Sequence, residues 1–277
     1  MASLSTVAAF GFGDFDPPQM LELYRRLGCT SCQFYRNEAN PPAVADVRRI
    51  TADAGLAVDS IHGVFGEAYD PSSLDESHRR QTVEVYRREA ELAAELGGPM
   101  VVVHPAAPVP GDALPDDDQR QAHFEAFRKS VDEMTPIAAD IGVTFLYENI
   151  PDNYWVGNDP LALARLLRDL DSPHARMCFD TGHALMTGTI ADRMAACSDV
   201  IGYLHVHDND AIVDDHRMPG DGVTDWPEVG RTLRQQGIDV IAMLEVFYLA
   251  PQLEKLLRTD LPANLADWLN IQSPAHP

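Results

Sequence analysis

Basic residues are scarce in this 277-residue chain: 21 Lys and Arg stand against 43 Asp and Glu, a formal charge of −22. That balance opposes any partner gripped through phosphate neutralisation along a duplex, and no basic run supplies a local groove. No nucleic-acid partner is expected. No stretch reaches the roughly eighteen apolar residues of a membrane span, and the opening MASLSTVAAFGFGDFD lacks the charged n-region and long apolar h-region of a signal peptide. The expectation is a soluble, cytoplasmic protein with no membrane partner. Cysteines number four, at 29, 32, 178 and 197, too few to staple a chain of this size. Cys29-Thr-Ser-Cys32 is a CxxC, but no second CxxC completes a zinc site and the setting is not thioredoxin-like, so reduced structural thiols are expected. Composition shifts, Ser/Gly-rich linkers and low-complexity blocks are missing as well, which favours one domain over 1–277.

What is present is a regular alternation within a chain that is 45% hydrophobic. Strand-like runs fall at 6–12, 31–36, 57–63, 100–105, 143–150, 175–181, 201–207 and 240–247. Helical patterns fall at 17–27, 42–54, 73–97, 117–141, 159–170, 189–198, 226–236 and 250–270. Several open on Pro or Asp, and Gly28, Gly55, Gly97, Gly142 and Gly237 follow five of them, where a left-handed residue is wanted. Strands alternating with helices imply a parallel sheet covered by helices, and a count of eight favours closure into a single (β/α)8 TIM barrel over an open doubly wound sheet. Two connections are long, 64–72 and 208–225, and in a barrel both would lie over the C-terminal rim where active sites are built.

The runs VTFLYEN, ARMCFDTGH, IGYLHVHDN and VIAMLEVF each carry an acid or an imidazole near the end: Glu148, Asp180, His205 and Glu245. Oxygen and nitrogen donors delivered by separate strands to one rim are what a divalent cation needs. His62, His104 and His183 extend the pattern, so that six successive strands end in His, Asp or Glu, an arrangement that packing alone does not call for, because buried charges must be paired or metal-bound. Alternation puts His205 and His207 on one side of their strand, and His205 is preferred as the ligand because His207 and Asp208 begin the loop. The loop DDHRMPGDGVTDW sets Asp214, His216 and Arg217 ahead of a Pro-Gly-Asp-Gly turn that shapes a defined loop, with His216 and Arg217 better suited to substrate than to packing.

From SIHG and VVVHP through YEN, FDTGH and HVHDN to HRMPGDG and LEVF, the chain resembles the xylose isomerase-like TIM barrels, which include ketose 3-epimerases, inosose dehydratases, hydroxypyruvate isomerases and endonuclease IV-type repair enzymes. In the epimerase branch, the resemblance implies that Glu148, Asp180, His205 and Glu245 hold one divalent ion (Mn, Mg, Co or Zn) and that Glu148 and Glu245 act as acid and base on opposite faces of a sugar carbon. It also implies a substrate contact from His183. His62, His104 and His216 are taken with it as substrate contacts. In the endonuclease branch, His62, His104, Glu148, Asp180, His183, His205, Asp214, His216 and Glu245 resemble nine ligands of a trinuclear zinc site. Two positions depart from the epimerase pattern: Ala211 meets a substrate-binding Arg, and Tyr154 lies near an expected Glu. Arg217 would supply the missing cation, and Trp155 would stack on a sugar face.

The expected function is therefore a divalent-metal-dependent isomerase or epimerase working on a small carbohydrate or keto-sugar derivative by proton transfer through an enediolate. A sugar lyase or dehydratase on the same site is the alternative, since an enediolate can also expel a β-leaving group, and a phosphodiesterase is a third. Acidic barrels with exposed outer helices often pair, which makes a homo-oligomer an expectation without an assigned face.

Overall fold

The structure is a computed structural model that describes residues 2–111 and 114–271. Eight parallel strands close into a barrel in sequence order: β1 Leu4–Phe10, β2 Ser31–Arg36, β3 Ala57–His62, β4 Met100–Val103, β5 Thr144–Glu148, β6 Ala175–Asp180, β7 Ile201–Val206 and β8 Ala242–Leu244. The helices are α1 Pro17–Leu27, α2 Val44–Asp53, α3 Glu76–Leu96, α4 Asp117–Ile141 and α5 Pro160–Leu170 in the first part of the chain. They continue as α6 Thr181–Thr187, α7 Ile190–Cys197, α8 Trp226–Gln236, α9 Ala250–Leu256 and α10 Leu261–Trp268. This is the (β/α)8 barrel that the alternation predicts. No helix among the described residues is long and apolar enough to cross a membrane.

Helix ends follow their local chemistry. Asp75 accepts from the backbone of Ser77 and His78 to open α3, which closes at Gly97 with φ +87°, a conformation that a side chain resists. A capping box between Asp116 and Gln119 opens α4. Where the single helix 250–270 is expected, the chain forms α9 and α10, because Pro262 lacks the N–H and the clearance that an uninterrupted helix needs and instead sits in the first turn of α10. The expected strand 175–181 stops at Asp180, whose carboxylate accepts from His183 N and starts the additional helix α6. The fourth strand ends before the expected 105, where Pro105 has no N–H for the ladder. All four cysteines are buried and unpaired, and burial raises the Cys29 and Cys32 thiols far from reactivity.

The barrel interior is layered, and the layers place the site. Val7, Val102, Leu146, Cys178, Tyr203 and Met243 meet as an apolar floor. Two residues further along each strand the side chain returns to the interior one level higher. That step leads from Val102 to His104, Leu146 to Glu148, Cys178 to Asp180, Tyr203 to His205 and Met243 to Glu245. Strand register therefore brings the polar residues into one plane above a dry base. Leu146 is fully buried in that base. Leu146→Ala should cost about 2–5 kcal/mol of unfolding free energy, read as a lower urea midpoint at unchanged slope; a loss under about 1 kcal/mol would mean that the floor is not close-packed there.

Candidate metal centre

Glu148, Asp180, His205 and Glu245 converge on one point above the floor, and each is at most 4% exposed. His205 Nδ1 lies 3.1 Å from Glu148 Oε1, 3.0 Å from Glu245 Oε2 and 3.9 Å from Asp180 Oδ2. Its one proton serves Glu148, so Glu245 Oε2 is left without a hydrogen bond, as are Glu148 Oε2 and Asp180 Oδ2. Three buried carboxylates, each with an unbonded oxygen, around one imidazole fit a divalent cation, because such atoms are costly to bury without a partner.

Two further groups flank this centre. His104 Nε2 and His62 Nε2 approach Glu148 Oε2 at 3.3 and 3.9 Å. On the other side His183, His207, Asp214 and His216 gather, with Asp214 Oδ2 at 3.1 Å from His183 Nε2 and 3.4 Å from His216 Nε2. His207 Nε2 lies 3.1 Å from Asp180 Oδ1, yet neither of its ring nitrogens is hydrogen-bonded.

Backbone carbonyls aim the imidazoles. His62 Nδ1 donates to Gly63 O at 2.8 Å, His183 Nδ1 to Asn149 O at 2.8 Å and His216 Nδ1 to Glu245 O at 2.9 Å. A carbonyl only accepts, so Nδ1 carries the proton in each and Nε2 is turned to the interior. His205 is fixed the other way round, with Nε2 donating to Gln33 Oε1 at 3.2 Å and Nδ1 facing the carboxylates. Gln33 Nε2 in turn donates to Ser60 Oγ, Ser60 Oγ to Asp59 Oδ1 at 2.6 Å, and Tyr203 Oη to the same oxygen at 2.9 Å. A hydrogen-bonded chain thus runs from His205 into the barrel and holds the ring's orientation. Asn149 ties the ends of β5 and β6, exchanging hydrogen bonds with Asp180 N and O.

Gly182 has no alternative, because a Cβ there would enter the His207 ring. The 208–225 loop is organised by Asp208, which accepts from Gly220 N, Thr224 N and Trp226 Nε1. That frame holds His216 at φ +46°, a left-handed conformation that a non-glycine residue adopts only when its surroundings impose it.

The electrostatics follow from charge pairing in a dry setting. Burial would neutralise Glu148 and Glu245, but the adjacent imidazoles, His205 foremost, together outweigh it and hold both carboxyls well below their ordinary range. Burial would likewise lower His183 and His216, yet the carboxylates of Asp180, Asp214 and Glu245 dominate, raising His183 to about 10 and His216 to about 9. His62 goes the other way, pushed down to about 3 by burial and by His104.

The expected substrate contacts divide. His62, His104, His183 and His216 reach the rim as members of the two flanking groups. Arg217 is held by Asp215 at 2.6 Å and Asp210 at 3.3 Å, so it is not the free cation expected to stand in for the residue at Ala211. Trp155, expected to stack on a sugar face, stacks on His123 at 4.2 Å and 7° and lines a groove between α4 and α5. Gln33 and Tyr35 were not singled out in the sequence, although both hold the interior phase of SCQFYR: Gln33 orients His205, and Tyr35 Oη donates to Glu245 Oε1. His207, set aside there as a loop residue, is buried at the third group.

Fold and rim define a (β/α)8 barrel with a histidine–carboxylate mouth. A family model described as a xylose isomerase-like TIM barrel matches residues 21–268, and the chain belongs to that family. The uncharacterized protein MJ1311 of Methanocaldococcus jannaschii is 31% identical over 191 residues, 67% of this chain and 63% of that protein, so the match spans less than two thirds of the relative's length. A D-tagatose 3-epimerase-like protein shares the fold at a TM-score of 0.73 and 22% identity, covering 92% of this chain and 96% of that one. The 3-keto-D-glucoside 4-epimerase of E. coli does so at 0.72 and 17% identity, covering 98% and 100%.

A cation held by Glu148, Asp180, His205 and Glu245 must displace the proton of His205, which Cys178, Glu245 and Glu148 raise well above its ordinary value against the effect of burial, so its affinity should climb as pH rises towards the raised range of that imidazole. Below that range each displaced proton adds about one log unit of affinity per pH unit. Titration of Mn(II) by calorimetry in buffers of different ionisation enthalpy reads the released protons directly; pH-independent affinity without proton release would contradict the charge assignment.

Proposed function

We propose that this protein is a divalent-metal-dependent isomerase or epimerase of a keto-sugar or keto-sugar derivative, with Glu148 and Glu245 as the proton-transferring pair. The observation that carries this reading is that both side chains are buried and ionised around one imidazole, each with one oxygen engaged and one unbonded. Glu245 Oε1 is held by Tyr35, and the glutamate oxygens that a cation leaves free would face the substrate.

Glu148, Asp180, His205 and Glu245 would hold one ion, whose chemistry is Lewis-acid stabilisation of the negative charge that proton loss leaves on the substrate's carbonyl oxygen. One glutamate would take the proton from the carbon beside the carbonyl and keep it, and the other, having first picked up a proton from solvent, would deliver that proton to the opposite face, so that the pair ends with its charges exchanged. The apolar floor excludes water from below, and Tyr35, kept as a neutral donor by burial and by Glu245 and Glu148, steadies the Glu245 carboxylate. His183 and His216 are placed to hydrogen-bond substrate hydroxyls. A 3-keto-glycoside epimerase and a 3-epimerase-like protein among the fold relatives support a keto-sugar or its glycoside as the substrate class. Loss of a β-leaving group from the same deprotonated substrate would make the protein a lyase or dehydratase.

A second reading, phosphoester hydrolysis with three cations, is favoured by the two flanking groups, which share Glu148 with the centre or adjoin it at Asp180. The charge of −22 and the neutralised Arg217 weigh against a duplex substrate.

Incubation with keto-sugars and keto-glycosides in deuterated water should place label at a C–H bond, and Glu148→Gln or Glu245→Gln should slow that exchange by about 10²–10⁴-fold. Wild-type exchange in either variant removes its glutamate from the proton relay. Cleavage of an abasic duplex with no exchange on any sugar would instead establish the second reading.

A further inference from the structure

Beside the carboxylate rim, on the β2–β3 side, lies a cavity of 260 Å³ walled by Phe12, Tyr35, Val64 and Phe65. It shares two walls with the candidate site, His62 and Tyr35, whose rings lie 4.5 Å apart. Phe65 stacks on His104 at 4.8 Å and meets His62 edge-on at 5.1 Å, yet it remains 52% exposed, and Phe12 remains 38% exposed. Large aromatic side chains left open next to a buried polar site mark a surface that a ligand covers.

The Arg36 and Asn37 side chains of this cavity already have partners. Arg36 is clamped by Glu89 at 2.6 Å and approached by Glu38 at 3.6 Å. Asn37 Nδ2 donates to Gly11 O, and its Oδ1 accepts from Ala39 N. Among backbone groups, Gly63 N donates to Val102 O, and Val64 O accepts from Tyr86 Oη. With the Arg36 and Asn37 side chains engaged, neither is free to bind a second sugar ring or a phosphate, whereas an apolar group would cover Phe12, Val64 and Phe65. The volume is also below the roughly 300–1,000 Å³ of pockets for drug-sized ligands, which suits one aromatic ring.

We infer that the substrate is a glycoside or similar sugar derivative carrying an uncharged aryl group, and that the cavity formed by Phe12, Val64 and Phe65 receives that group while the sugar lies over the carboxylates. The inference rests on the reading of the rim as a sugar site and adds the class of the substituent.

The test is a binding measurement, independent of turnover. Phenyl and methyl β-D-glucopyranosides, which lack the keto group, are titrated into the Mn(II)-loaded protein by calorimetry or by ligand-observed saturation-transfer NMR. The phenyl compound should bind about tenfold tighter, and Phe65→Ala should erase that difference. Phe12→Ala, at an equally open position, should reduce it, which guards against a fold effect of either change. Equal affinities in the wild type, or a preference that survives in Phe65→Ala, would overturn the inference. Deuterium exchange on keto-sugars without a phenyl preference would sink the aryl subsite and keep the acid–base reading; phenyl preference without exchange on any keto-sugar would do the reverse.

Discussion

Three carboxylates and an imidazole held together in a dry barrel mouth are the constraint around which this protein is organised. Burial drives Glu148 and Glu245 towards their neutral forms, and the surrounding imidazoles, His205 foremost with His104 beside Glu148 and His216 and His207 beside Glu245, keep both ionised. One imidazolium among three carboxylates leaves an excess of negative charge and three unbonded oxygens. Such a cluster is stable in a folded protein when something of opposite charge completes it. The surrounding structure holds these side chains in position: carbonyls fix His62, His183 and His216, Gln33 fixes His205, and Tyr35 fixes one oxygen of Glu245.

Preorganisation extends outward from there. The apolar floor seals the site from below, Asn149 joins two strand ends, and Asp208 shapes the loop that delivers Asp214 and His216. Each device acts on the orientation of a functional side chain and not on the gross fold. The barrel itself is secured by the helices packed on its outer face, whose apolar sides form the main core with the strands. Rigidity at the centre and openness at Phe12 and Phe65 divide the mouth into a polar half suited to chemistry and an aromatic half suited to recognition.

Much of this was legible in the chain because barrel strands repeat every two residues. An acid or imidazole two positions beyond a buried apolar residue must point into the mouth, so Glu148, Asp180, His205 and Glu245 could be placed from order alone. The same rule applied to SCQFYR places Gln33 and Tyr35 inside, but neither residue type announces a metal site, and their roles depend on partners 172 and 210 positions away. Arg217 and Trp155 have local partners that residue order does not reveal. A loop cation and an indole suggest a ligand, and the fold adds the carboxylates of Asp210 and Asp215 to the one and the ring of His123 to the other. Short-range chemistry was clearer where one residue decides, as Asp180 does by ending a strand and capping a helix, although a strand pattern running to 181 concealed it.

The central claim is that the rim above the floor is a cation site formed by Glu148, Asp180, His205 and Glu245. Crystals of the Mn(II)-loaded protein, measured above the manganese absorption edge, test it most directly. The account predicts an anomalous difference peak enclosed by those four side chains. Saturating manganese with no peak there, or a peak only at another position, would contradict it.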